Sequence, residues 1–131
     1  MSVPGDVVQA WLRRARSDLE LARLALQASG VLPEDACFHA QQCAEKALKA
    51  LLLQAGDDPP RTHAIDVLLD RLKVRGMHIP DSVDSAFTLT EYAVQTHYPG
   101  EWEPVTSEEA HQAIDQAARV LEWVEGRVVS G

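Results

Sequence analysis

The chain has 131 residues and carries 20 Asp/Glu against 12 Lys/Arg, a net charge of −8; such a length supports one hydrophobic core and excludes two. No apolar run approaches the ~18 residues of a membrane span and no charged-then-apolar leader opens the chain, so a soluble cytoplasmic protein is expected. The acidic balance disfavours broad electrostatic attraction to DNA or other phosphate backbones.

Hydrophobic periodicity predicts a first helix from Asp6 to Ala28. Val8, Leu12, Ala15, Leu19, Ala22 and Leu26 alternate steps of four and three, the seam of a helical bundle. Arg13, Arg14, Arg16 and Arg23 cluster on this helix, and a solvated face with intrahelical pairs such as Arg16–Glu20 is expected. Ser29-Gly30 ends it, and Pro33 is placed to start the next. Helix two is expected to run to Ala55, before Gly56, two Asp and two Pro. Ala40, Cys43, Ala44, Ala47, Ala50 and Leu51 recur at helical spacing, and alanines that dense let another backbone approach closely, so this helix is expected at the bundle centre. Its polar strip is Gln41, Gln42, Glu45, Lys46 and Lys49. Cys37 and Cys43 lie on different sides of it, which argues against a disulfide between them and suits two buried thiols in a reducing compartment.

Thr62 is expected to cap helix three, whose inner face is Ile65, Leu68, Leu69 and Leu72, and Gly76 and Pro80 close it. Asp81 is expected to cap helix four, with a buried stripe of Val83, Phe87, Thr90 and Val94 and with Ala86 and Ala93 beside it. A loop follows from Pro99-Gly100 through Pro104. Thr106 with Glu109 forms a capping box for helix five, on which Ala110, Ile114, Ala117, Leu121, Val124 and Val128 continue the bundle seam. No strand-like alternation appears. The predicted fold is all-α, a five-helix up-and-down bundle in a single domain over residues 1–131. Trp11, Leu21, Leu24, Leu52 and Trp123 fall outside the seams, and a second copy docking on them is the economical expectation.

The charge is unevenly placed. Residues 1–75 carry ten bases and ten acids, whereas residues 76–131 carry only Arg119 and Arg127 against ten acids. Spacing argues against a dedicated metal site. Asp35 with His39, and Glu108 with His111, are single acid–His pairs, and a dinuclear carboxylate site needs two such pairs and two further carboxylates. His39 is expected to be a satisfied core-edge residue, and His63 to satisfy backbone groups in the first turn of helix three. No phosphate-cradling glycine loop is present and no cofactor is implied, so nucleotide binding would rest on Gln41, Gln42, Glu45 and Lys49. A buried hydrogen-bond network between subunits would use the same strip.

Three segments in order resemble one family. Residues 38–53, FHAQQCAEKALKALLL, look like the second helix of the HEPN domain. Thr62-His63 opening the next helix, and Tyr92 through His97-Tyr98-Pro99-Gly100 before the last, extend the likeness along nearly the whole chain. The resemblance implies the HEPN bundle, a two-fold homodimer with functional residues near the interface, and nucleotide binding as the family name records.

The ribonuclease branch of the family carries an Arg, then four to six residues, then a His, often followed one residue later by a Tyr. There, His and Arg from two subunits activate a ribose 2′-hydroxyl without metal and leave a 2′,3′-cyclic phosphate. Upstream of His97 stand Glu91, Tyr92 and Ala93 and no arginine, and His97 occupies the place of the arginine in relatives with Arg-Tyr-Pro. Arg71 and His78 are the one formal match, although Gly76 and Pro80 place the helix end between them. The resemblance also implies a frequent partner, a small nucleotidyltransferase-type protein that can adenylylate a tyrosine of its HEPN protein; Tyr98 and Tyr92 are the candidates here. The expected function is an interaction module without catalysis of its own, in a toxin–antitoxin-like or regulatory pair. The alternatives are a metal-independent endoribonuclease acting on RNA through His97 or Arg71/His78, and a stand-alone nucleotide sensor.

Overall fold

A computed structural model describes residues 5–93 and 104–128. Its helices are α1 (Gly5–Gln27), α2 (Pro33–Gln54), α3 (Ile65–Val74), α4 (Asp81–Asp84), which continues directly as a 3₁₀ segment over Ser85–Ala93, and α5 (Ser107–Glu125). Among the described residues there is no strand, and no helix is long and apolar enough to cross a membrane. The all-α expectation holds.

Helix α2 is the hub, touching α1, α3, the 3₁₀ segment and α5, while α1 also reaches α5. Its alanines explain this position. Ala36, Ala40, Ala44, Ala47 and Ala50 are fully buried, and without side chains beyond Cβ they let neighbours approach from several directions. Leu48, Leu51 and Leu52 fill the remaining core. From α1 come Val8, Leu12, Ala15, Leu19 and Ala22, and from α5 Ala110, Ile114, Ala117, Leu121 and Val124, all buried as their spacing predicted. Val128 packs partly buried against the same core.

Helix ends follow local chemistry. After α2, Gly56 adopts φ of 85°, and the amides of Gly56 and Asp57 reach back to the carbonyls of Leu53 and Leu52 at 3.0 and 2.9 Å. That paired return needs a left-handed residue, which glycine adopts without a Cβ clash. Gly76 closes α3 in the same way. At α5, the Thr106 side chain accepts from the Glu109 amide at 3.0 Å. Only this half of the expected capping box forms, because the Glu109 carboxylate is turned toward Tyr92.

Two predicted caps are displaced. Thr62 does not cap α3; its hydroxyl accepts from the Ala64 amide at 3.0 Å, the helix begins at Ile65, and the free Ile65 amide donates to Thr90 Oγ1 at 3.0 Å. A side chain from a distant element thus supplies the acceptor expected from Thr62. At α4, Asp81 lies inside the first turn and Pro80 is the cap residue.

The fourth helix departs furthest from expectation. With ~3.0 residues per turn, the 3₁₀ segment aligns every third side chain. Its inner line is therefore Val83, Ala86 and Leu89, followed by the partly buried Tyr92. Phe87, expected inside at α-helical spacing, is 54% exposed. Val94 lies outside the described residues.

Several residues outside the seams prove to belong to this chain's own core. Leu52 is fully buried, Trp11 and Trp123 pack partly buried against the core, and the Arg127 guanidinium stacks 4.8 Å above the Trp123 ring. Leu21 and Leu24 remain 45% and 55% exposed. Arg16 pairs with Glu125 across the α1–α5 contact at 2.7 Å rather than with Glu20, which pairs with Arg23.

Candidate functional site

Nearly every face of α2 is covered, so its polar residues emerge along one partly exposed stripe that includes His39, Gln42, Lys46 and Lys49. Two buried carboxylates flank that stripe. On one side lies Glu45, whose side chain is 6% exposed. Its Oε1 accepts from His63 Nδ1 at 2.9 Å and from Gln41 Nε2 at 3.1 Å, and its Oε2 accepts from Lys49 Nζ at 2.9 Å. Burial pushes this carboxyl up, but the hydrogen bonds from His63, Lys49 and Gln41 together outweigh it and hold the group below the ordinary carboxylate range. An ionised carboxylate only accepts, so His63 carries its proton on Nδ1 here.

Gln41, fully buried, ties this corner together. Its second amide hydrogen goes to the His63 carbonyl at 2.9 Å, and its carbonyl accepts from Gln42 Nε2 at 2.7 Å. These bonds fasten the segment before α3 onto α2. His63 does not cap the first turn of α3 but reaches Glu45 from a position where its ring is 69% exposed.

The other flank was not anticipated. Asp18, on α1, has a side chain only 9% exposed and accepts from His39 Nδ1 at 3.1 Å and from Lys46 Nζ at 2.5 Å. His39 is thus a satisfied residue at the core edge, as expected, with the Phe38 ring edge-on to it at 5.3 Å. The signal for Asp18 was present in the sequence. It stands three after Ala15 and four before Ala22, so an acid occupies the buried line of an amphipathic helix.

A second polar cluster lies where the 3₁₀ segment meets α5. Tyr92 donates its hydroxyl to Glu109 Oε2. Burial, and then the adjacent Glu109 carboxylate, push the phenol well above its ordinary pKa, so the hydroxyl stays protonated. A groove of about 340 Å³ opens beside it, lined among others by Thr88, Glu91, Gln112 and Arg119. His97 and Tyr98 lie outside the described residues.

Arg71 and His78 are not joined by any bond among the described residues. Arg71 grips Asp57 with Nη2 at 2.5 Å and Nε at 3.2 Å, and Arg75 shares the same carboxylate at 3.2 Å. Hydrogen bonding from Arg71, and then from Arg75, holds the Asp57 carboxyl below its usual range. Helix α3 stops at Val74, and His78 follows, exposed, in the connection to α4.

Cys37 and Cys43 are buried and unpaired. Burial first, with acidic neighbours adding to it, pushes both thiols up to about 12. At pH 8 the thiolate fraction is then on the order of 10⁻⁴, so a disulfide-exchange reagent should label neither cysteine in the native protein and both in denaturant. Rapid labelling without denaturant would contradict the packing of α2.

No group of three or more His, Cys, Asp or Glu among the described residues is arranged to hold a metal ion. Comparison with known proteins gives consistent results. The HEPN domain model matches residues 8–127. A Methanocaldococcus jannaschii protein named "Putative toxin MJ1304" is 32% identical over 130 residues, covering 87% of this chain and 83% of its own length. The crystal structure of ST0689, an archaeal HEPN homologue, is 36% identical, spans 93% of this chain and 98% of its own, and superposes with a TM-score of 0.75. TT1696 from Thermus thermophilus is 35% identical over 91% of this chain and 96% of its own, with a TM-score of 0.79.

Proposed function

This chain belongs to the HEPN domain family, and from that premise we propose that it acts as an interaction module in a toxin–antitoxin-like or regulatory pair, as a homodimer working with a nucleotidyltransferase-type protein. The name of the M. jannaschii relative supports the toxin–antitoxin setting. The observation that carries the non-catalytic part is the placement of Arg71. Phosphoryl chemistry of the HEPN type needs a guanidinium free to meet developing negative charge beside a histidine. Here Asp57 holds Arg71 on two nitrogens, Arg75 buttresses the same carboxylate, and the helix ends before His78.

The polar strip of α2 supports a structural role in the same way. Gln41 spends both amide hydrogens and its carbonyl oxygen on its own chain, so a nucleotide at this strip would have to displace bonds already made. In the pair, the exposed Leu21 and Leu24 of α1 offer surface for the second copy. Tyr92 and Tyr98 are the acceptors a nucleotidyltransferase would use.

The test is incubation of the purified protein with labelled mixed-sequence RNA in EDTA, beside His97→Ala and His78→Ala variants, and co-expression with the nucleotidyltransferase-type partner. The expected result is no cleavage above a mock preparation, together with stoichiometric co-purification of the two proteins. Cleavage that resists the chelator and disappears in one variant would overturn the reading in favour of the endoribonuclease. Stabilisation by free nucleotide that is lost in Lys49→Ala would favour the sensor instead.

A further inference from the structure

The segment from Asp81 to Ala93 carries two helical registers in one sequence. One is the observed line Val83, Ala86, Leu89 and Tyr92, spaced by three. The other is Val83, Phe87 and Thr90, spaced by four and three, the α-helical stripe continued in sequence by Val94. A 3₁₀ run beyond three or four residues is uncommon because its hydrogen bonds are poorly aligned and its side chains eclipse. This run covers nine residues and leaves a phenylalanine 54% exposed. Both features place the segment away from its own local optimum.

Contacts to other elements fix the segment along its length. Gln116 Nε2 donates to the Ser82 carbonyl at 2.7 Å, and Lys73 pairs with Asp84 at 2.8 Å. Thr90 accepts from the Ile65 amide at 3.0 Å, and at the far end Tyr92 donates to Glu109. The first two contacts lie at the start of the segment, where the registers have barely diverged. Tyr92, nine residues beyond Val83, is where they differ most. At ~120° per residue Tyr92 points the same way as Val83, whereas at ~100° per residue it would point to the opposite side. The same change would carry Phe87 from ~120° to ~40° away from the buried line.

We propose that residues 81–93 form a two-register switch: the 3₁₀ register stores the Tyr92 side chain against Glu109 with Phe87 outside, and an α register buries Phe87 and presents Tyr92 at the surface. The Tyr92–Glu109 hydrogen bond is the latch. Phe87 supplies the opposing bias, because its ring gains burial only in the second register. Interconversion also shortens the segment, since the rise falls from ~2.0 to ~1.5 Å per residue. This switch stands whether or not Tyr92 is a substrate of any partner.

The test is NMR of the full chain, comparing wild type, Tyr92→Phe, and the double variant Phe87→Lys/Tyr92→Phe. Wild type should show contacts between residues i and i+2 along 85–93. Tyr92→Phe should lose them, gain contacts between i and i+4, and bring the Phe87 ring within reach of core methyl groups. The double variant should return to the i, i+2 pattern, because lysine gains nothing from burial. That reversal separates a switch from simple fraying. Retention of the wild-type pattern in Tyr92→Phe would overturn the proposal, and so would loss of both patterns or a double variant that does not revert.

Discussion

Glu45→Ala is expected to destabilise the protein by about 3–5 kcal/mol, the range for removing one partner from a buried charged pair. The substitution removes the acceptor of Lys49, of the His63 ring and of one Gln41 hydrogen at once. Gln41 is fully buried and has no route to water, so its loss is not compensated by hydration. A urea titration reads the effect as a lower midpoint with an unchanged slope. The pH dependence has a defined sign. The folded carboxyl lies below its unfolded value of about 4.3, so its contribution is complete above that pH and drains away as pH falls through the folded value. Wild type and Glu45→Ala should therefore converge on acidification. An unchanged midpoint at neutral pH would mean that the network fastens nothing.

Leu48→Ala should cost about 2–5 kcal/mol, because a fully buried leucine loses its transfer energy and leaves a cavity that the hub helix cannot close. Helix α2 faces four other elements, so a shift that closed the cavity toward one would open a gap against another. Leu24→Ser is the contrasting substitution. At 55% exposure its side chain contributes little to the fold, and the change in stability should stay within about 0.5 kcal/mol. If the α1 surface is covered by a second copy as proposed, Leu24→Ser should instead weaken self-association, seen as earlier dissociation on dilution. A stability loss for Leu24→Ser comparable to that of Leu48→Ala, at concentrations where both are monomeric, would contradict the assigned burial.

The candidate site divides along the same line between near and distant contacts. The α2 strip could be read because Gln41, Gln42, Glu45 and Lys49 are neighbours on one helix. Their partner His63 could not, since its position over Glu45 depends on how the chain returns before α3. The acid at Asp18 was legible as an anomaly on a buried line, but its pairing with His39 and Lys46 needed α1 laid against α2. Arg71 and His78 matched a spacing rule, yet the carboxylate that holds Arg71 comes from the connection that follows α2.

By itself the sequence determined the helices α1, α2, α3 and α5, their buried faces and most of their ends. Periodicity and capping depend on residues within one or two turns, and the buried lines of those four helices have the α-helical period. Tertiary structure alone decided the register of residues 81–93, where two periods compete and contacts from α3 and α5 select one. It also decided where the long polar side chains point. Arg16 reaches Glu125 across 109 positions and Tyr92 reaches Glu109 across 17. Flexible side chains take the partner that packing brings near, and the distance along the chain carries no record of that choice.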